Sequence, residues 1–389
     1  MPARTLPAVS PPGALFAALG ALALLAPFMT LAANRIVAGE GVGVWTVAPS
    51  GAVAAGLAAV VAALALGLLP RWPWLRLAGA ALGLAGVVWL LGQGTQTLLE
   101  GAGSYARVSP APGFWYLLVI LGLLMADALS ALSPGPLARA GLLAVALLAV
   151  AMLLQMDALT QLSIFREYDG RRAAFATAFW RHLGLAFGSL AVAAALGFPL
   201  GILCHRNARL RAALLPVLSF LQTIPSLAMF GIMIPLLGWV GDSVPGAEAL
   251  GIAGIGFAPA FLALVLYSLL PVVANTVAGL DSTPPAARDA ARGMGMTSRQ
   301  RLWQVELPLG LPVILAGLRI VLVQNIGLAV IAALIGGGGF GTFVFQGLNQ
   351  TATDLILLGA LPTVALALIA AIVMDILVEL ASPPPETRP

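Results

Sequence analysis

Lysine is absent from this sequence, and charge of either sign is scarce: 9% of its 389 residues are charged. A soluble domain carries about a quarter. A chain so poor in charge cannot cover a water-facing surface, so its outside must face lipid. Without lysine there is no Walker A phosphate loop, whose ammonium reaches the β/γ-phosphates. If ATP drives this protein, another subunit must bind it. One cysteine, Cys204, excludes an intramolecular disulfide, and Cys204 beside His205 supplies two ligands where a metal site needs more. The net charge of +4 is carried by arginines scattered over short loops, which does not form the basic patch that nucleic acid requires.

Apolar residues are what the chain has in abundance, at 60% of the total and a mean hydropathy of +1.02. Runs of roughly 20 apolar residues, each long enough to cross a bilayer as a helix, fall at 14–33, 51–69, 77–91, 114–132 and 137–156. Five more fall at 183–203, 210–236, 255–280, 311–335 and 355–377. Backbone polar groups in lipid must be satisfied within their own segment, so the sequence predicts an all-α, polytopic membrane protein of about ten transmembrane helices. The first run follows Arg4 and ends in Leu31-Ala32-Ala33, the layout of a secretory signal. It is longer than a signal core and further spans follow, so a retained anchor is expected.

Arginine sets the orientation. With the N-terminus inside and the spans alternating, the inside segments hold Arg4, Arg71, Arg76, Arg139, Arg206, Arg209, Arg211, Arg288, Arg292, Arg299, Arg301 and Arg388. The outside segments hold Arg35, Arg107, Arg166, Arg171, Arg172 and Arg181, half as many, in accord with the positive-inside bias. Residues 238–251, placed outside, carry Asp242 and Glu248 and no arginine. Residues 161–182, rich in Arg, Phe and Trp, read as an interfacial helix or a solvated linker between an accessory region, 1–160, and a core of five spans, 183–380. The segments between spans are too short for a soluble catalytic or ligand-binding domain.

One inside segment, 281–308, is unusual. Ser282 or Thr283 followed by prolines can start a helix, residues 286–291 are good helix formers, Gly293 and Gly295 stop it, and Thr297 or Ser298 can cap a second. Within it stand Asp289-Ala290-Ala291, then three residues to Gly295, then nine to Val305, one more, and Leu307-Pro308. This pattern resembles the cytoplasmic loop of binding-protein-dependent ABC importer permeases: Glu-Ala-Ala, three residues, Gly, nine residues, Ile, any residue, Leu-Pro. Asp289 and Val305 are conservative departures. The resemblance implies that this loop is the coupling helix seated in a groove of an ATPase subunit, with Ala290 and Ala291 allowing close approach, Gly295 the turn, and Leu307-Pro308 the transmission to the ninth span.

The likeness runs over about 183–380. Gln222-Thr223-Ile224-Pro225-Ser226-Leu227-Ala228, Leu266-Tyr267-Ser268-Leu269-Leu270-Pro271, Asn275-Thr276, Ala316-Gly317-Leu318-Arg319 and Ile335-Gly336-Gly337-Gly338-Gly339-Phe340-Gly341 are similar to the permeases for quaternary amines (glycine betaine, choline, carnitine). The extension over about 1–160 looks like the larger variant of that branch. The resemblance implies a five-helix type I permease core in a bacterial inner membrane and a second permease subunit, identical or paralogous. It also implies a periplasmic binding protein, and an ABC ATPase holding ATP and Mg.

Polar residues inside spans are the candidates for a substrate path: Gln222, Thr223, Ser226, Tyr267, Asn275, Arg319, Gln324 and Asn325. Each could instead tie one helix to another, and Arg319 could pair with a neighbour or snorkel to the inner surface. Pro225 and Pro271 are expected to break their helices, as happens along transport paths. A quaternary ammonium is held tightly by an aromatic cage, and no aromatic cluster at helical spacing is evident; the resemblance implies that tight recognition belongs to a separate binding protein. Another small solute, such as an amino acid, is the alternative cargo. A secondary transporter is the rival class, but Asp127, Asp354 and Asp375 lie near span ends rather than forming a relay. No nucleophile or base–orienter pair marks the chain as an enzyme.

Overall fold

The computed structural model describes residues 9–35, 37–47, 51–155 and 157–382; Arg4 and Arg388 of the charge tally lie outside them. The chain divides into two compact units, residues 1–138 with 144–170, and residues 139–143 with 171–389.

The first unit holds helices α1 (Pro11–Ala23), α2 (Gly51–Gly67), α3 (Pro73–Leu99) and α4 (Pro112–Leu132). Strands β1 (Pro27–Ala32), β2 (Glu40–Gly43) and β3 (Arg107–Pro110) form an antiparallel sheet in the order β2-β1-β3. The first apolar run therefore departs from expectation. It is not one span but a short helix followed by the central strand of a sheet. Pro27 has no N–H to continue the helix and biases Ala26 away from helical geometry. Beyond it Leu31 pairs with Glu40 on one side and Val108 on the other, while Phe28 and Met29 are buried. Val60, Ala63, Leu90, Leu117, Leu121 and Leu124 interdigitate in the core where α2, α3 and α4 pack. Arg76 of α3, itself buried, pairs with Asp127 of α4. Helix α5 (Pro136–Leu153) buries none of its residues, as suits a lipid-facing rod, and α6 (Ser163–Asp169) is short.

The second unit begins with α7 (Arg172–Arg206), continuous through a π-turn at Gly184–Gly188. Residues 172–182, read from sequence as an interfacial helix or a solvated linker, are helical and run into the span. Then come α8 (Ala208–Thr223), α9 (Ser226–Ser243), α10 (Phe257–Asp281), α11 (Pro285–Gly293), α12 (Ser298–Ile335), α13 (Gly341–Asn349) and α14 (Thr353–Ala381). Helix α10 is central, packing on α7, α8, α9 and α12. Among the described residues eight helices are long and apolar enough to cross a membrane; α1 and α2 are shorter apolar helices.

The two prolines expected to break helices behave differently. At Pro225 the run 210–236 does split into α8 and α9, with Ile224 extended (φ −69°, ψ 125°). Pro271 sits inside an unbroken α10. Its missing N–H orphans the carbonyl four residues back, that of Tyr267. The Gln222 amide nitrogen donates to that carbonyl at 2.7 Å, so a side chain from α8 supplies the bond the proline removes. The favour is returned, because the Tyr267 hydroxyl donates to the Ile224 carbonyl at the α8–α9 break.

Candidate functional site

The inside loop forms two short helices around a tight turn. Pro284 and Pro285 occupy the start of α11, where a proline removes no helical bond, so neither Ser282 nor Thr283 caps it. Helix α11 closes with Gly295 at φ +78°, left-handed geometry that glycine adopts without strain, and Gly295 N–H donates to the Arg292 carbonyl at 2.9 Å. Thr297 then caps α12 reciprocally: Gln300 N–H donates to its hydroxyl at 3.3 Å, and Thr297 N–H donates to the Gln300 side chain at 2.9 Å. Ala291 is fully buried against the chain itself, whereas Asp289, Ala290, Arg292 and Met294 face outward. Asp289 and Arg292 pair at 3.2 Å on that outer face. Val305 and Leu307 are half-buried and Pro308 is exposed.

Behind the loop lies a charge cluster that sequence reasoning missed. Glu306 ends a π-turn, Leu302–Glu306, and is 5% exposed. Its carboxylate lies 3.0 Å from Arg301 Nε, 3.6 Å from Arg288 Nε and 3.6 Å from His205 Nε2. The other ring nitrogen of His205 lies 2.7 Å from Asp281, which also pairs with Arg211 at 2.8 Å. Arg288 further donates to the Leu280 carbonyl at 2.6 Å. The sequence signal was faint: a carboxylate beside Leu307-Pro308, in a span otherwise free of acids.

The mid-span candidates do not gather in one place. Gln222 and Tyr267 meet at the α8–α9 break. Thr223 is exposed and donates to Phe220 in its own helix; Ser226 opens α9, half-buried. Asn275 donates to the Pro271 carbonyl at 2.7 Å and packs over Gly317 of α12. Asn325, wholly buried, donates to Ser189 of α7 at 2.9 Å and to Ser268 of α10 at 2.8 Å, joining three helices. Gln324 is exposed on α12 beside it. Arg319 pairs with Asp375 of α14, so it neither snorkels alone nor stands unpaired.

At the opposite end of the unit, glycines make a third feature. Gly338 and Gly339 have φ of +80° and +76°, and a Cβ on Gly338 would lie 2.7 Å from the Arg181 side chain. Through this gap the turn folds over His182, whose Nδ1 accepts from Phe340 N–H at 3.4 Å. The Phe340 ring lies 4.9 Å from the imidazole and 5.3 Å from Phe175, with Phe179 at 6.2 Å and Phe343 beyond Phe175 at 6.0 Å. The aromatic cluster absent from any one helix is therefore assembled from α7 and the 340–343 segment. The rings meet at tilted angles of 31° to 57°.

With the loop's geometry in hand, residues 197–384 match the family described as binding-protein-dependent transport system inner membrane component. Residues 10–165 match the N-terminal domain of the ABC transporter permease YehY. The osmoprotectant import permease protein OsmW of Salmonella typhimurium is 43% identical over 190 residues, 49% of this chain and 83% of that protein. The chain belongs to this family of ABC importer permeases. A second relative, the glycine betaine/carnitine/choline transport system permease protein OpuCD of Bacillus subtilis, is 38% identical over 59% of this chain and 92% of its own. Among solved structures, the MetNI methionine ABC transporter in inward-facing conformations is similar at a TM-score of 0.48 and 21% identity, covering 55% of this chain and 98% of that one. The permease is thus a multi-pass membrane protein of the inner-membrane type, and its first unit corresponds to the YehY N-terminal domain rather than to the common core.

Proposed function

We propose that this permease forms the translocation path of an ATP-driven importer for a quaternary-amine osmolyte such as glycine betaine, choline or carnitine. A periplasmic binding protein delivers the substrate, and a separate ATPase subunit holds ATP and Mg. The observation that carries this reading is the loop of α11 and the start of α12. Asp289, Ala290 and Met294 are exposed while Ala291 closes against the chain, so the loop offers an exposed face among the arginines assigned to the inner side. Asp289, Ala290, Ala291, Gly295, Val305, Leu307 and Pro308 are the residues proposed to couple to the ATPase.

The substrate class rests on the relatives, whose names specify osmoprotectant, carnitine, choline and glycine betaine transport. The polar groups in the spans support a passing site rather than a tight one. Gln222, Asn275 and Asn325 are already hydrogen-bonded within the protein, and the aromatic rings near His182 pack against each other at tilted angles. Selectivity then belongs to the binding protein. In the proposed cycle, ATP closes two ATPase subunits, their grooves carry the loops of two permease subunits, and the spans switch from inward- to outward-facing. Hydrolysis resets them and substrate leaves on the inside.

The test is uptake into proteoliposomes holding the permease with its ATPase and binding protein, offered labelled glycine betaine, choline, carnitine or an amino acid. ATP-dependent accumulation of a quaternary amine is expected. Accumulation of only the amino acid would move the cargo to the alternative class. Accumulation driven by an ion gradient without the ATPase would make the chain a secondary transporter.

A further inference from the structure

The cluster around Glu306 gathers charges from five elements that are far apart in sequence. His205 is at the inner end of α7, Arg211 in the first turn of α8, Asp281 at the end of α10, Arg288 in α11, and Arg301 with Glu306 at the base of α12. Two carboxylates are matched by three guanidinium groups and one imidazole. His205 is the bridge, with one ring nitrogen against each acid. The Glu306 carboxylate is 6% exposed, so it is held in a low-dielectric setting where removing its partners, or it, leaves charge uncompensated. Its backbone carbonyl also accepts from the Thr283 hydroxyl at 3.4 Å, which fixes the other end of the loop.

The location has a mechanical consequence. A loop joined to the membrane part only through its two chain ends, at Asp281 and Leu307, could pivot there and dissipate any displacement. The Glu306 cluster adds side-chain ties from the loop to α7 and, through His205 and Asp281, to α8. Glu306 ends the π-turn at Leu302–Glu306 and is buried there, and π-turns inside helices recur at functional positions.

We propose that Glu306 is a positioning residue for coupling: it locks α11 to the inner ends of α7, α8, α10 and α12, so that displacement of the loop moves these helices as one body. This deepens the functional reading above and rests on it. No contact between Glu306 and substrate or nucleotide is involved.

The test has two arms. In the first, spin labels at Met294→Cys and Arg206→Cys, in a Cys204→Ser background of the full-length permease, report the distance from the loop tip to the end of α7. A single narrow distribution is expected, broadened or doubled by Glu306→Gln and, through a second route to the same cluster, by Arg301→Gln. Unchanged narrow distributions in both variants would overturn the proposal, whatever the cargo is. In the second, the reconstituted complex is assayed for ATP hydrolysed per glycine betaine imported. Glu306→Gln is expected to raise that ratio about five-fold or more, the size of an ordinary coupling free energy. Poor folding or assembly lowers both rates together and leaves the ratio alone; an unchanged ratio would overturn the proposal. Failure of the unmutated complex to import any quaternary amine would instead remove the functional reading, while the distance measurement still decides the lock.

Discussion

The polar residues of the second unit fall into two regions that do opposite things with the same chemistry. At mid-span, Gln222, Asn275 and Asn325 are neutral, and each ties one helix to another or to its own backbone. At the inner end, Asp281, Glu306 and three arginines carry charge and His205 bridges the two acids, with Glu306 buried and Asp281 and Arg211 partly open to water. The difference teaches where each kind of group is affordable. In lipid a charge has to be paired, as Arg319 is with Asp375, and a neutral amide suffices to hold two helices in register. At the inner boundary water reaches the outer members of the cluster while Glu306 stays buried among its partners, so paired charge suits a joint between elements that must move together.

This comparison makes mid-span substitutions a matter of stability and loop substitutions a matter of coupling. The largest stability effect is expected for Arg319→Leu, which removes one of the two guanidinium partners of Asp375 and leaves Arg139 as the other, and should cost about 2 kcal/mol of unfolding free energy measured in mixed micelles. Asp375→Leu in the same chain leaves Arg139 paired with Glu379 and should recover part of it; a double variant no better than the single would break the pairing argument. Asn325→Leu removes the link between α7, α10 and α12 and is expected to cost about 1 kcal/mol, with ATP hydrolysed per substrate unchanged. A smaller loss, about 0.6 kcal/mol, is expected for Gln222→Leu, which leaves the Tyr267 carbonyl without the donor that replaces the Pro271 N–H. Restoring the backbone donor with Pro271→Ala should cancel that loss in the same melting experiment. At the bottom of the scale, Asp289→Ala should move stability by no more than about 0.5 kcal/mol, since the side chain is exposed. Its effect should appear in uptake instead. A variant on the exposed face of the loop, at Asp289, Ala290 or Met294, that destabilises the fold as much as Arg319→Leu would erase the distinction between the regions.

What could be read from sequence was local. The spacing from Asp289 to Pro308 lies within twenty residues, and the Gly295 turn and the Thr297 cap follow from residue type at known helix positions. The apolar runs likewise located eight long helices. What could not be read depends on partners far along the chain. An apolar run has the same composition whether it is helix or strand, so 27–32 became a strand only because 40–43 and 107–110 come to pair with it. Pro271 leaves its helix intact because of a glutamine 45 residues away. Glu306 meets His205 across a hundred residues, and Phe175 meets Phe340 across more. None of these pairings leaves a trace in periodicity or spacing.

Coupling to an ATPase requires that the outward face of the loop touch it. In the Cys204→Ser background, Met294→Cys, at an exposed position, should cross-link to the ATP-hydrolysing subunit in assembled complex, and the yield should change when ATP is bound. Labelling of that cysteine by a membrane-impermeant thiol reagent from the periplasmic side, with no cross-link to the ATPase in any nucleotide state, would contradict it.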